Sequence, residues 1–166
     1  YLGFRQKLRR HPTISKPEAK MVKILLIQGA NLTYLGKREP HIYGTTTAAE
    51  LDDRMQAHAG AHAYELEIFY TNIEGEAINR IYLAAESGVD GLVMNPAGFS
   101  YAGHALRDCL KGAALPYVEV HISNIETRGI HCVLSDVAVG MITGFGLHGY
   151  KMGLEAMLHL LAKEQD

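Results

Sequence analysis

The chain lacks several features that would place it at once. Among its 166 residues only two are cysteine, Cys109 and Cys132. Two thiols are too few for a disulfide framework and lack zinc-ligand spacing, so reduced thiols in a cytoplasm are the expectation. Neither sign of charge dominates: the formal net charge is −2, which gives no chain-wide field for nucleic acid. No apolar run approaches the roughly 18 residues that a membrane helix needs. There is no HExxH pair, no GxSxG elbow, no P-loop lysine, no internal repeat and no low-complexity segment. Among the nine histidines, His58 and His62 stand four apart on one helical pattern. With no third ligand beside them in sequence, they read as a solvated helix face, and neither a metal nor a cofactor is expected.

What remains is a composition of 48% hydrophobic and 20% charged residues, normal for a globular chain long enough for one domain. The first twenty residues carry six basic and one acidic side chain, a net of +5, which leaves the remainder near −7. Residues 1–20 are expected to be a basic leader or extension outside the fold; a basic arm docking on an acidic neighbour or a phosphate is the alternative. Residues 21–166 read as one domain. There, apolar runs alternate with helical patterns. Strands are expected at 23–27, 64–70, 90–96, 116–123 and 137–144. Helices are expected at 46–60, opening on a threonine cap with Glu50 behind it, and at 74–87, 103–113 and 146–164. Ile78, Ile81, Tyr82 and Ala85 form the expected apolar face of the second of these helices. Leu147, Tyr150, Leu154, Met157, Leu158 and Leu161 form that of the last. Five buried strands alternating with helices imply an α/β fold, a parallel sheet covered on both faces.

In such a sheet, ligands sit outside the carboxyl ends of the strands. Those ends here are QGAN (28–31), TN (71–72), NPAG (95–98) and HISN (121–124), richer in polar side chains than structural turns require. Just past the first lies GKREPHIYGTT (36–46), with Lys37, Arg38, Glu39, His41 and Tyr43 around one proline. GFGLHG (144–149) matches a dinucleotide pattern, but it follows the last strand, so no further strand completes a βαβ unit. Those glycines read as close packing of the last helix. The remaining constellation is Asn31, Arg38, Tyr43, Asn95, Glu119, His121 and Ser123. Singly, each has a structural reading; together, on four strand-end loops, they point to a shared site. Such a set suits proton abstraction beside a carbonyl followed by loss of a leaving group. Tyrosine, with an ordinary pKa of about 10, becomes a base when a guanidinium favours its anion, and Arg38 lies in the same loop. Glu119 and His121, two apart on one strand, share a face, so the carboxylate can orient the ring and the ring can protonate a departing hydroxyl. Asn31 can hold an enolate oxygen, and the Ile122 and Ser123 amides suit a carboxylate.

These residues sit in GANLTYLGKREPHIYGTTT (29–47), NIEGEAINRI (72–81), NPAGFS (95–100), ALRD (105–108), EVHISN (119–124), LSDVAVGMITGFGLHGY (134–150) and LEAM (154–157). In that order they resemble the type II 3-dehydroquinate dehydratases across essentially all of 21–161. The resemblance implies a flavodoxin-like fold, a homo-oligomer (a dodecamer built from trimers), and removal of water from 3-dehydroquinate by anti elimination through an enolate. Neither metal nor Schiff-base lysine takes part in that reaction. It implies Tyr43 as base in a mobile loop, Arg38 as its activator and Asn31 as enolate stabiliser through a water. His121 held by Glu119 becomes the acid, and Asn95, Ala97, Tyr101, Ile122 and Ser123 contact the substrate. Asp108 reaches a neighbouring subunit's site. Where the family usually has NPAAYTHTSVALRD, this chain has NPAGFSYAGHALRD: Tyr101 stands in place of a substrate-contacting histidine, and His104 follows three positions later. Arg128 matches an earlier arginine of the segment 125–133. No residue aligns with the arginine that contacts the ring hydroxyls, for which His131 is a partial stand-in. A dehydratase is therefore expected, with two alternatives: a paralogue for another cyclic hydroxy-keto acid, or a non-catalytic binding relative. Biosynthetic and catabolic use both stay open.

Overall fold

The structure is a computed structural model and describes residues 20–163. Five strands form one parallel sheet: β1 Lys23–Ala30, β2 Glu65–Tyr70, β3 Gly91–Ala97, β4 Tyr117–His121 and β5 Gly140–Thr143. Their order is β2-β1-β3-β4-β5, the doubly wound flavodoxin-like order, in which the winding reverses between β1 and β3. Five α-helices connect or flank them: α1 Pro40–Tyr43, α2 Ala48–Ala61, α3 Glu74–Glu86, α4 His104–Ala113 and α5 His148–Lys163. Most of the expected basic leader lies outside the described residues. Its last residue, Lys20, pairs with Asp90 at 2.8 Å.

The period of two in β1 divides the core. Ile24 and Leu26 pack with Met55 of α2 and Tyr150, Leu154 and Met157 of α5. Leu25 and Ile27 pack on the other face with Ala77 and Ile81 of α3 and Leu106 and Leu110 of α4. The threonine cap of α2 is Thr47, whose hydroxyl accepts from the Glu50 amide while Glu50 reaches back to the Thr47 amide, a capping box.

Four expectations need correcting. The buried stripe of α3 is Ala77, Ile81 and Ala84; Tyr82 and Ala85 face outward, because the small side chains let the helix lie close to the sheet. The strand expected at 137–144 is only Gly140–Thr143. A 3-10 turn over Ser135–Val137 uses the preceding backbone groups, with the Val137 amide donating to the Leu134 carbonyl. Not all five strands are buried: the edges β2 and β5 expose Glu65, Glu67, Gly140 and Met141. The glycine-rich segment also works differently from simple close packing. Gly144 and Gly146 have φ of +91° and +58° and make the turn into α5. The close approach belongs to Gly153, where a Cβ would lie 2.6 Å from a Val120 methyl.

Gly29 sets the separation of β1 and β3 beneath the strand ends, since a Cβ there would overlap the Pro96 carbonyl oxygen. Gly29→Ala is expected to lower folding stability by about 1–3 kcal/mol, read as a lower urea midpoint at unchanged slope. An unchanged midpoint would mean that the two strands yield freely.

Candidate active site

The carboxyl ends of β1, β3 and β4 surround a cavity of about 110 Å³. Most of the site residues expected from sequence line it: Asn31, Arg38, Tyr43, Asn95, Ala97, Tyr101, His121, Ile122 and Ser123. Arg128 and Ser100 join them. Glu119 and Asp108 are not in the wall. Glu119 is fully buried behind His121, and Asp108 lies exposed on α4.

The backbone is strained where the strands end. Asn31 has φ +80° and Ala97 has φ +46°, ψ −115°, regions that cost a residue with a Cβ about 1–3 kcal/mol. Both are held from the side. The Asn31 amide donates to Asn72 Oδ1 at 2.7 Å, and the Ala97 amide donates to Asn95 Oδ1 at 3.1 Å. Asn95 is fixed in turn: its Nδ2 donates to Tyr150 Oη at 2.8 Å, which donates to Gln28 Oε1 at 2.8 Å. Gln28 Nε2 is buried without a partner.

The loop after β1 carries α1, a single turn with Pro40 at its start and Tyr43 at its end. Gly36 at φ +84° and Gly44 at φ +80°, ψ −175° bracket it; the latter conformation is essentially reserved for glycine. No hydrogen bond joins Arg38 to Tyr43. The Arg38 Nε donates to Glu39 at 3.1 Å. The guanidinium on Tyr43 is that of Arg128, whose Nη1 lies 2.9 Å from both Tyr43 Oη and Ser123 Oγ. Its carbon sits 5.7 Å from the Tyr43 ring centre. A hydrogen bond from a permanent cation stabilises negative charge on the phenol oxygen.

Behind the wall, the Glu119 carboxylate is saturated. His121 Nε2 and the Ser135 hydroxyl meet Oε1 at 2.7 and 2.5 Å. The Tyr117 hydroxyl and the Cys132 thiol meet Oε2 at 2.7 and 3.5 Å. Burial raises the Glu119 pKa, but the bonds from His121, Ser135 and Tyr117 outweigh it and hold the carboxyl below its ordinary value. Burial likewise lowers the His121 pKa, but Cys132 and Glu119 outweigh it and raise the ring to about 9. Glu119, His121 and Cys132 offer ligand atoms within 4.8 Å of one another. With four donors already on the carboxylate, they act as a hydrogen-bond network.

Sequence reasoning placed Glu119 and His121 on one face but passed over Tyr117, which the same period of two adds. It also passed over Ser135 and Cys132, which arrive from a distant loop with no local signal. Tyr150 was legible only as part of an apolar stripe. His104 and His131 do not line the cavity; both border a separate surface hollow with Arg107 and Asp136.

The family model described as Dehydroquinase class II matches residues 22–158. The chain belongs to the type II dehydroquinase family. It is 44% identical over 146 residues to the 3-dehydroquinate dehydratase of Thioalkalivibrio sulfidiphilus, covering 86% of this chain and 99% of that protein. It is 44% identical over 135 residues to the catabolic 3-dehydroquinase of Aspergillus oryzae, covering 80% and 88% of the two chains. Among solved structures, the type II dehydroquinase of Butyrivibrio crossotus superposes with a TM-score of 0.79 at 37% identity, covering 82% and 97%. That structure shares this chain's fold.

The His121–Glu119 pair makes stability depend on pH. A histidine raised from 6.5 to about 9 contributes stability that is full below its unfolded value and lost as pH rises through its folded one. His121 ring resonances are expected to titrate near 9 and to move down in Glu119→Gln. Folding stability should fall across the same window, and by less in the variant. A wild-type ring titrating at its ordinary value would remove the argument.

Proposed function

We propose that this chain removes water from 3-dehydroquinate to give 3-dehydroshikimate, by anti elimination through an enolate. The observation that carries the reading is the meeting of Tyr43, Arg128, His121, Asn31 and Asn95 in one cavity whose wall holds two guanidiniums and no carboxylate, suited to an anionic ring acid. Tyr43, as its anion, takes the proton from the carbon beside the ketone. The electron pair moves onto the ketone oxygen, where Asn31 stabilises it through a water. The enolate then re-forms the ketone as the hydroxyl two carbons from it leaves, and His121 supplies the proton that makes it water. Glu119 keeps that ring charged and oriented. Arg128 takes the activating part that the sequence suggested for Arg38, and Arg38 remains in the wall. The amides of Ile122 and Ser123, with Asn95 and Ala97, hold the substrate carboxylate. Tyr101 covers the far side of the ring.

The assembly we infer is a homo-oligomer, a dodecamer of trimers, in the cytoplasm. Apolar Tyr34, Ile73 and Phe145, exposed by 60%, 58% and 58% at the strand-end rim, favour burial by a neighbouring subunit. Asp108 outside its own cavity suits a contact with the next one, and the buried, unpaired Cys109 and Cys132 suit a reducing compartment. The names 3-dehydroquinate dehydratase and catabolic 3-dehydroquinase among its relatives point to the same conversion. A second reading, another cyclic hydroxy-keto acid, draws support from His104 and His131 lying away from the cavity, which leaves the far side of the ring to Tyr101.

The test is ultraviolet appearance of the conjugated enone from 3-dehydroquinate. Wild type should turn over. Tyr43→Phe should lose about 10²–10⁴ in kcat, and Arg128→Ala about 10–100-fold, the worth of one charge-assisted hydrogen bond. A folded, assembled wild type without turnover would overturn the proposal and move the search to other ring acids or to a binding role.

A further inference from the structure

Of the two histidines that sequence suggests for a solvated face, only His62 is exposed. His58 is buried to 7% exposure, and the third ligand missing from the sequence arrives from another helix: Glu155 of α5, whose Oε1 lies 3.2 Å from His58 Nε2. The two imidazoles stack face to face, with centroids 4.0 Å apart and planes at 21°, at the end of α2. One ligand atom from each of the three residues falls within 4.8 Å of the others.

The proton positions favour a cation. His62 Nδ1 lies 2.9 Å from the His58 carbonyl oxygen, which can only accept. Nδ1 therefore carries the hydrogen, and the neutral ring leaves the Nε2 lone pair free. His58 Nδ1 lies 3.0 Å from the Tyr64 hydroxyl, which can donate or accept. His58 can thus place its own hydrogen on Nδ1 and release Nε2. Each ring would then be held from behind by a hydrogen bond on its other nitrogen, as metal-bound histidines usually are.

We propose that His58, His62 and Glu155 form a site for a divalent transition-metal ion, with Zn²⁺ the best fit, that clips the end of α2 to α5. Two imidazoles and one carboxylate suit Zn²⁺, Ni²⁺ or Cu²⁺ better than Mg²⁺ or Ca²⁺. Three protein ligands leave a fourth, tetrahedral position for water. His62 is exposed and the Glu155 side chain is 57% exposed, so both can close on the ion while buried His58 stays fixed. None of the three lines the catalytic cavity, and α2 ends just before β2 begins, at the end of the sheet away from that cavity. The site therefore acts on stability.

The probe is ZnCl₂, added by calorimetric titration to the chelator-treated full chain, with melting temperature as second readout. Wild type is expected to bind one equivalent per chain and to melt higher with zinc. His62→Asn and Glu155→Gln, both at exposed positions, should each weaken uptake by about tenfold or more and abolish the zinc-dependent shift while folding normally without metal. No zinc uptake by wild type would overturn the proposal. So would uptake of equal affinity in both variants, which would put the ion elsewhere.

Discussion

A buried carboxylate, Glu119, is the group around which the catalytic half of this molecule is arranged. An isolated charge at zero exposure would cost several kcal/mol, so its persistence depends on the donors it collects. They come from two places: Tyr117 and His121 from β4, and Cys132 and Ser135 from the loop that crosses behind it. The carboxylate thereby ties an otherwise irregular segment to the sheet. It also makes the cavity-facing imidazole a cation, because the charge that four donors stabilise stabilises a proton on His121 in return. Structure and proton chemistry share one constraint, and neither residue can be changed as if the other were only a neighbour.

A second constraint is geometric. At the reversal between β1 and β3 the chain must leave two adjacent strands in opposite directions, and strand order alone opens a crevice there. This chain sharpens the crevice with left-handed backbone at Asn31 and Ala97. The strain is tolerable because Asn72 and Asn95 each take up a freed amide, and because Asn95 is anchored through Tyr150 into the core. The Gln28–Tyr150–Asn95 chain carries the rigidity of α5 and β1 to the cavity floor, so side chains aimed at a ligand need not be ordered when it arrives.

The fold was legible because its signals are periodic. The continuous apolar run of β1, the capping box at Thr47 and the stripe of α5 each stand in a short window of sequence. Strand-end polarity likewise located the cavity before any coordinates. What was not legible depended on distance or on rotation about an axis. Ser135 and Cys132 reach Glu119 from a loop with no pattern of its own. Arg128 meets Tyr43 across 85 residues of sequence, whereas Arg38, five residues away, turns to Glu39. Proximity in sequence was a poor guide because a one-turn helix between two glycines points its ends apart. The α3 stripe was misplaced for a related reason: alanines bury as well as larger residues where a helix must lie close, and hydrophobicity alone does not register that.

Charge closes the argument about what the cavity holds. The chain as a whole is acidic, at −2, yet the cavity wall carries Arg38, Arg128 and the charged ring of His121 with no carboxylate among its lining residues. Two carboxylates touch that wall from outside it: Glu119 sits behind His121, taken up by its donors, and Glu39 pairs with Arg38. A small anion therefore meets a local field opposite in sign to that of the molecule, focused by low-dielectric walls of Leu32, Leu35, Ile125 and Ile130. The same field stabilises the three negative charges that the proposed reaction needs at different moments: the substrate carboxylate, the phenolate of Tyr43 and the enolate oxygen. A neutral ligand would gain from none of them. Of the altered residues only Tyr101 is in the wall, while His104 and His131 border a separate hollow, so none of them places a carboxylate in the cavity. In the proposed reaction the Tyr101 side therefore bears on which ring acid is preferred, and the cationic floor on whether elimination occurs.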